Sequence, residues 1–268
     1  VPIALTDCLN FGNPEVAEVF QDFVDAVRGI GDAARGIGMK DSDEPIPVIS
    51  GNVSFYNQSS AGSAILPSPV VCAVGRVPDI AFHATSGMKS PVSSLLLVGE
   101  RYGELGASAF MRTVAGGVGT HPPVVRVDEE RAMMSAVTDL IAAGRVRSCH
   151  DISDGGMVVA LAEMLLGSSP DSTIGAEIDL DRTWAAGDAL AVCELLFCEN
   201  GGYLLEVGPD DVDLAMDVLD DRGTWYAEIG RTTAERGLVV LAGSVGDVRL
   251  SEDAMSAAWL NGATEVML

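Results

Sequence analysis

Thr6-Asp7-Cys8-Leu9-Asn10-Phe11-Gly12-Asn13-Pro14-Glu15 is the stretch that organises the chain, and it has a companion further on in Ser50-Gly51-Asn52-Val53-Ser54-Phe55-Tyr56-Asn57. Each follows a short apolar strand, Ile3 to Thr6 and Pro47 to Ser50, and each then turns polar and glycine-rich. A carboxylate at Asp7 and an amide at Asn52, just beyond strand ends and beside a glycine that lets backbone approach, suit a nucleotide and its magnesium. Taken singly, each loop is better explained as turn chemistry, since Asn, Gly and Ser dominate turns for conformational reasons.

Working outward, Asn13 is a natural N-cap, Pro14 suits the first helical position and Glu15 favours the helix dipole, so a helix is expected to begin near Pro14. Val16, Phe20, Phe23, Val24 and Val27 follow helical spacing and predict a core face, with the glycines from Gly29 to Gly38 ending the helix. Lys40 to Pro47 reads as an exposed loop, Gly51 to Gly62 as a second loop, and Ala64 to Leu66 and Val70 to Val74 as edge strands punctuated by Pro67 and Pro69. The small, polar stretch from Ala81 to Pro91 precedes the apolar run Leu95 to Val98, which places a domain boundary near residue 90 and gives domains 1–90 and 91–268. In the second, helices are expected over Glu129 to Ala143, Gly155 to Leu166 and Val212 to Leu219. The fold class is α+β, the second domain being an α/β or α+β sandwich.

Composition narrows the function. The chain has 268 residues and is 48% hydrophobic, but no apolar run approaches the roughly 20 residues of a membrane span. The opening VPIALTD lacks the basic region of a signal peptide, so a soluble, cytoplasmic protein is expected. The net charge of -23 should repel nucleic acid and anionic membrane. With Lys40 and Lys89 as the sole lysines, the acidic bias fits a proteome adapted to high salt. Cys8, Cys72, Cys149, Cys193 and Cys198 form no C-x-x-C pair and read as reduced, mostly buried thiols. Asp210, Asp211, Asp213, Asp217, Asp220 and Asp221 read as a solvated helix face, without the spacing of an EF-hand.

Together the two opening runs resemble phosphoribosylformylglycinamidine synthase, in the second amino-terminal-type domain of its synthetase subunit. The resemblance continues through Pro67-Ser68-Pro69, Leu95-Leu96-Leu97-Val98-Gly99, Glu104-Leu105-Gly106-Ala107-Ser108, His150-Asp151-Ile152-Ser153-Asp154-Gly155-Gly156 and Ala160-Leu161-Ala162-Glu163-Met164, and loosens beyond about Val207. It implies an aminoimidazole ribonucleotide synthetase-like architecture, an N-terminal α/β half-barrel domain followed by a C-terminal α/β sandwich domain, and it implies that this is the second half of a tandem, shortened ahead of Val1. By the same resemblance Asp7 and Gly51 contact ATP, Asn52 ligates Mg2+ and Ser54 touches the ribonucleotide substrate. For Asn52 a satisfied turn residue is the competing reading.

The implied activity is ATP-dependent conversion of formylglycinamide ribonucleotide and glutamine-derived ammonia to the amidine. The implied partners are the first half of the synthetase, a glutaminase subunit and a small bridging subunit. Since the family's acid-base histidine, nucleotide-binding lysine and main acidic magnesium ligands lie in the first half, His83, His121 and His150 are not expected to be catalytic. Asp151, Asp154, Gly155 and Gly156 open a helix whose N–H groups could cradle phosphate in an auxiliary nucleotide site; N-cap aspartates and a tight turn explain them equally. Cys198 and Gly202 stand where the family tends to have serine and arginine, which predicts a weakened auxiliary site. A non-catalytic nucleotide-holding scaffold, and a self-sufficient relative such as aminoimidazole ribonucleotide synthetase, remain as alternative functions.

Overall fold

The computed structural model describes residues 1–60, 62–119, 121–169, 171–184, 191–243 and 246–266. Contacts divide them into two compact units, Val1–Ile80 and Ala81–Leu268.

In the first unit, β1 (Pro2–Asn10) leads through α1 (Ala17–Ile37) to β2 (Val48–Ser54), parallel to β1 as a helical crossover requires. β3 (Ser68–Gly75) then returns antiparallel on the other side of β1, giving the order β2-β1-β3. Both leading strands are longer than their apolar runs suggest. The helix starts three residues later than expected: Asn13 Oδ1 accepts from the Glu15 N–H at 2.8 Å and so caps a turn, while α1 begins after Val16 without a side-chain cap. It continues through Gly29, Gly31 and Gly36 and stops only at Gly38, whose φ of 66° leaves the helical region. Of the expected core face, Phe23 and Val24 are half-buried, whereas Val16, Phe20 and Val27 are exposed. Ala64 to Leu66 forms no strand; it contributes one isolated bridge, Gln58 to Ala64. The unit's own core is small, with Leu9, Phe11, Ala34 and Ile46 buried and Phe11, Phe23 and Phe55 meeting edge to face at 5.5 and 5.1 Å.

The second unit comprises β4 (Ser94–Val98), α2 (Ala109–Thr113), α3 (Val127–Ala142), β5 (Val146–Asp151), α4 (Gly156–Leu166), β6 (Gly175–Asp179), α5 (Asp181–Trp184), α6 (Val192–Phe197), β7 (Tyr203–Val207), α7 (Val212–Asp221), β8 (Tyr226–Thr233), β9 (Leu238–Leu241), β10 (Val248–Leu250) and α8 (Glu252–Val266). Its seven-stranded sheet has the order β10-β9-β6-β8-β4-β7-β5. Leu95 and Leu97 face a core built with Met157, Leu161 and Met164 of α4, and Leu96 and Val98 face another built with Met133, Val137 and Leu140 of α3 and Leu219 of α7. Helices therefore cover both faces, which is the α/β sandwich. The boundary lies about ten residues earlier than the sequence suggests, because residues 81–92 are tied to this unit: Met88 is buried and donates its N–H to Met164 O at 3.1 Å. The fully buried Glu206 carboxylate also accepts from the N–H groups of Lys89 and Ser90 and from the hydroxyls of Ser93 and Ser148, all at 2.8–2.9 Å. Among the described residues no helix is long and apolar enough to cross a membrane.

Candidate functional site

Asp7, Gly51, Asn52 and Ser54 lie within β1 and β2 rather than in the loops beyond them. The parallel register pairs Asp7 with Gly51, Cys8 with Asn52 and Asn10 with Ser54. Side chains alternate along a strand, so Asp7 and Gly51 share one face of the sheet, and Asn52 and Ser54 share the other with Cys8 and Asn10. Gly51 is glycine for a reason visible in the geometry: a Cβ there would lie 2.2 Å from Asp7 Oδ1. The open space at this glycine is thus filled by the Asp7 carboxylate, not left for a ligand. Asn52 is exposed on β2, an edge strand in this unit. Ser54 is half-buried and held by Asn57, a residue that motif reading passed over because its side-chain partners come from two separate stretches.

In the second unit, Gly155 and Gly156 take left-handed φ values of 84° and 72°, and a Cβ on Gly156 would meet the Leu196 carbonyl oxygen at 2.6 Å. The left-handed turn and the close approach of residues 196–197 account for both glycines. Asp151 and Asp154 are exposed, and neither caps α4, whose N-cap is Gly155 with no side-chain cap bond. Asp151 lies beside His150, whose Nε2 is 3.2 Å from Glu163 Oε2. The N–H group expected to meet phosphate already has an anion: Glu199 Oε1 accepts from Gly155 N at 2.7 Å and from Ala109 N at 2.7 Å, joining the starts of α4 and α2. Glu199 was hidden in a motif read only for what Cys198 and Gly202 had lost.

At Gly202 a side chain is excluded, since a Cβ would lie 2.4 Å from an Arg101 Nη atom. A guanidinium therefore still occupies this neighbourhood, turned inward. Arg101 is buried, donates to the carbonyls of Asn200 (2.9 Å) and Gly201, and has its pKa lowered by burial. Burial pushes the Cys198 thiol up in spite of the Arg101 charge beside it, which makes Cys198 a packing residue. Burial likewise raises Glu130, which faces Arg101.

The N-terminal domain model of the AIR synthase related proteins matches residues 1–77, and the C-terminal domain model matches residues 93–243. The chain belongs to the AIR synthase related family. It is 38% identical over 99% of its length to phosphoribosylformylglycinamidine synthase subunit PurL of Methanothrix thermoacetophila, of which it covers 34%. The chain thus spans about a third of that relative. The fold likeness extends to Thermotoga maritima PurL complexed with FGAR, with a TM-score of 0.69 at 16% identity over 96% of this chain and 40% of that one. E. coli HypE gives a TM-score of 0.59 at 17% identity, over 94% of this chain and 73% of that one. Each family-model match falls within one compact unit, leaving residues 78–92 and those after 243 unmatched.

These residues fit a nucleotide and magnesium only in part. Among the described residues no group of three His, Cys, Asp or Glu side chains could hold a metal ion. Asn52 offers one neutral oxygen, so the other ligands of a magnesium ion would be phosphate oxygens, waters or groups from elsewhere. A ligand touching both residue pairs must reach round β2 from one face of the sheet to the other.

Proposed function

We propose that the chain forms one part of an ATP-dependent carbon–nitrogen ligase that makes formylglycinamidine ribonucleotide for purine biosynthesis. The observation that carries this is the 38% identity to a PurL subunit across nearly the whole chain, with Asp7 beside Gly51 on adjoining strands and Asn52 and Ser54 together on the opposite face of β2. In the reaction the amide oxygen of formylglycinamide ribonucleotide attacks the γ-phosphorus of ATP, ADP leaves, and ammonia then displaces phosphate to give the amidine. Magnesium, when bound, neutralises the triphosphate. The Asp7 carboxylate, fixed over Gly51, accepts hydrogen bonds from the nucleotide; the Asn52 amide oxygen ligates the metal; Ser54 binds the ribonucleotide.

The groups needed for acid–base chemistry come from outside this chain, in a first half whose amino-terminal-type domain covers the exposed apolar sheet of the first unit. A glutaminase supplies ammonia and a small subunit bridges the two. A soluble, cytoplasmic assembly follows from this reading. Steady-state amidine formation with ammonia as donor tests it, run on the chain alone and with the first half added. Turnover is expected only in the mixture, with Asn52→Ala raising its magnesium requirement. Robust turnover by the chain alone, or an unchanged magnesium requirement in Asn52→Ala, overturns the assignment.

A further inference from the structure

Asn57 ties the two opening sequence runs together. Its Nδ2 lies 3.1 Å from Phe11 O, 2.9 Å from Ser54 O and 3.1 Å from Ser54 Oγ, while its Oδ1 is 3.3 Å from Ser54 Oγ. The backbone repeats the link: Phe11 N–H donates to Ser54 O at 3.0 Å and Asn57 N–H donates to Phe11 O at 3.1 Å. To bring Asn57 back beneath Ser54 the chain passes through Tyr56 in the left-handed region, at φ 60°. For a bulky side chain this costs on the order of 1 kcal/mol or more, and such strain persists only where the surroundings fix it. Tyr56 N–H donates to Gly12 O at 2.9 Å and its ring is exposed, so burial of the aromatic side chain does not explain the strain.

We propose that Asn57 is a positioning residue that sets the polarity of the Ser54 hydroxyl for an oxygen-rich ligand; this rests on the reading of Ser54 as a ribonucleotide contact. A serine hydroxyl can donate one hydrogen and accept others. When Nδ2 donates to Ser54 Oγ, the hydroxyl hydrogen is left to donate to an acceptor oxygen of the ribonucleotide, whether phosphate or carbonyl. Were Ser54 to donate to Oδ1 instead, it would offer that ligand only lone pairs. The amide keeps its Nδ2 toward Ser54 because that nitrogen is anchored on two backbone carbonyls that cannot donate; of its two hydrogens one goes to Phe11 O and the other is shared between Ser54 O and Ser54 Oγ.

The experiment measures KM for the ribonucleotide, KM for ATP and kcat in the assembled synthetase carrying Ser54→Ala, Asn57→Ala, Asn57→Asp and the double variants, with Tm recorded for each. Asn57→Ala should raise the ribonucleotide KM about tenfold, the size of one lost oriented hydrogen bond. KM for ATP and kcat should stay within about twofold of the parent on that scale. Asn57→Asp keeps the shape but accepts the Ser54 proton, so it should raise that KM at least as much, and in the Ser54→Ala background either Asn57 change should add less than about twofold. A ribonucleotide KM unmoved by Asn57→Asp, an equal effect of Asn57→Asp with and without Ser54, or loss of folding in both single Asn57 variants overturns the proposal. If Ser54→Ala itself leaves the ribonucleotide KM unchanged, it is the underlying assignment of Ser54 that fails.

Discussion

The two sheets use similar residues to opposite ends. In the second unit, Leu95, Leu96, Leu97 and Val98 are consecutive and all fully buried, because α4 with its neighbours covers one face and α3 with α7 the other. In the first unit, β2 and β3 carry Ile49, Val53, Val70, Val71 and Val74, and all are exposed, Ile49 at 70%. One sheet closes its own core, and the other leaves apolar side chains exposed, as a sheet that docks a partner would. The candidate site residues Asp7, Gly51, Asn52 and Ser54 belong to the second kind of sheet. The second unit is therefore expected to supply most of the chain's intrinsic stability, and the first to depend on a few contacts.

Phe11→Ala tests that dependence most severely. Phe11 is fully buried, its ring meets Phe23, and truncations of this type cost about 3–5 kcal/mol. In a unit with so small a core, the expected outcome in urea is early loss of the first unit with the second still folded. A single shared transition shifted as a whole would mean that the units do not differ as described. The corresponding blow to the second unit is Glu206→Ala, which strands two backbone N–H groups and two serine hydroxyls in a buried site. A loss of about 3 kcal/mol is expected there, by the cost of buried donors left unpaired. Hydrogen exchange should show residues 88–93 opening first; protection unchanged over that stretch would break the account.

The contrast also explains what could be read from the chain. Leu95 to Val98 announced a buried strand because burial on both faces makes every residue apolar, and the helices near 129–143, 155–166 and 212–219 lie within a few residues of α3, α4 and α7 because each has a stripe to bury. The face of α1 was misjudged since Val16, Phe20 and Val27 have the right spacing but little in this chain to bury them. The boundary slipped because Glu206, distant in sequence, holds Lys89 and Ser90, and local composition carries no sign of that. Polar and glycine residues inside β1 and β2 looked like loops, which hid the alternation that sends Asp7 and Asn52 to opposite faces. Glu199 and Asn57 act through backbone groups from distant stretches, a relation that no local motif encodes.

A smaller effect probes the packed pair in the first sheet. Gly51→Ala would set a methyl 2.2 Å from Asp7 Oδ1, so the carboxylate must swing away or the strands part. Overpacking of this kind costs about 1–3 kcal/mol. Asp7→Gly should relieve it, making Asp7→Gly/Gly51→Ala more stable than Gly51→Ala alone. Additive losses in the double variant would show that the contact does not constrain the sheet.

The smallest expected effect comes from pH and belongs to the second unit. Burial pushes the Cys149 thiol up to about 12, with the Asp151 charge adding to it, and burial pushes Tyr203 up to about 12 with Cys149 nearby. In the unfolded chain a cysteine titrates near 8.5 and a tyrosine near 10. Above about pH 8.5 the unfolded state therefore holds fewer protons than the folded one, and the stability of the folded state falls as pH rises. The contribution is fully present below the unfolded value and is lost progressively toward pH 12, at about 1.4 kcal/mol per pH unit for one group. Between pH 9 and 10 the slope should come mainly from the two thiols that burial pushes up, Cys149 and Cys198, since tyrosine in the unfolded chain reaches only about half ionisation at the end of that interval. Urea midpoints for the second unit should fall over that interval in the parent and fall less in Cys149→Ala, whose own truncation lowers the curve at every pH without tilting it. Equal slopes in the two proteins would mean that the Cys149 thiol is not held protonated by its surroundings.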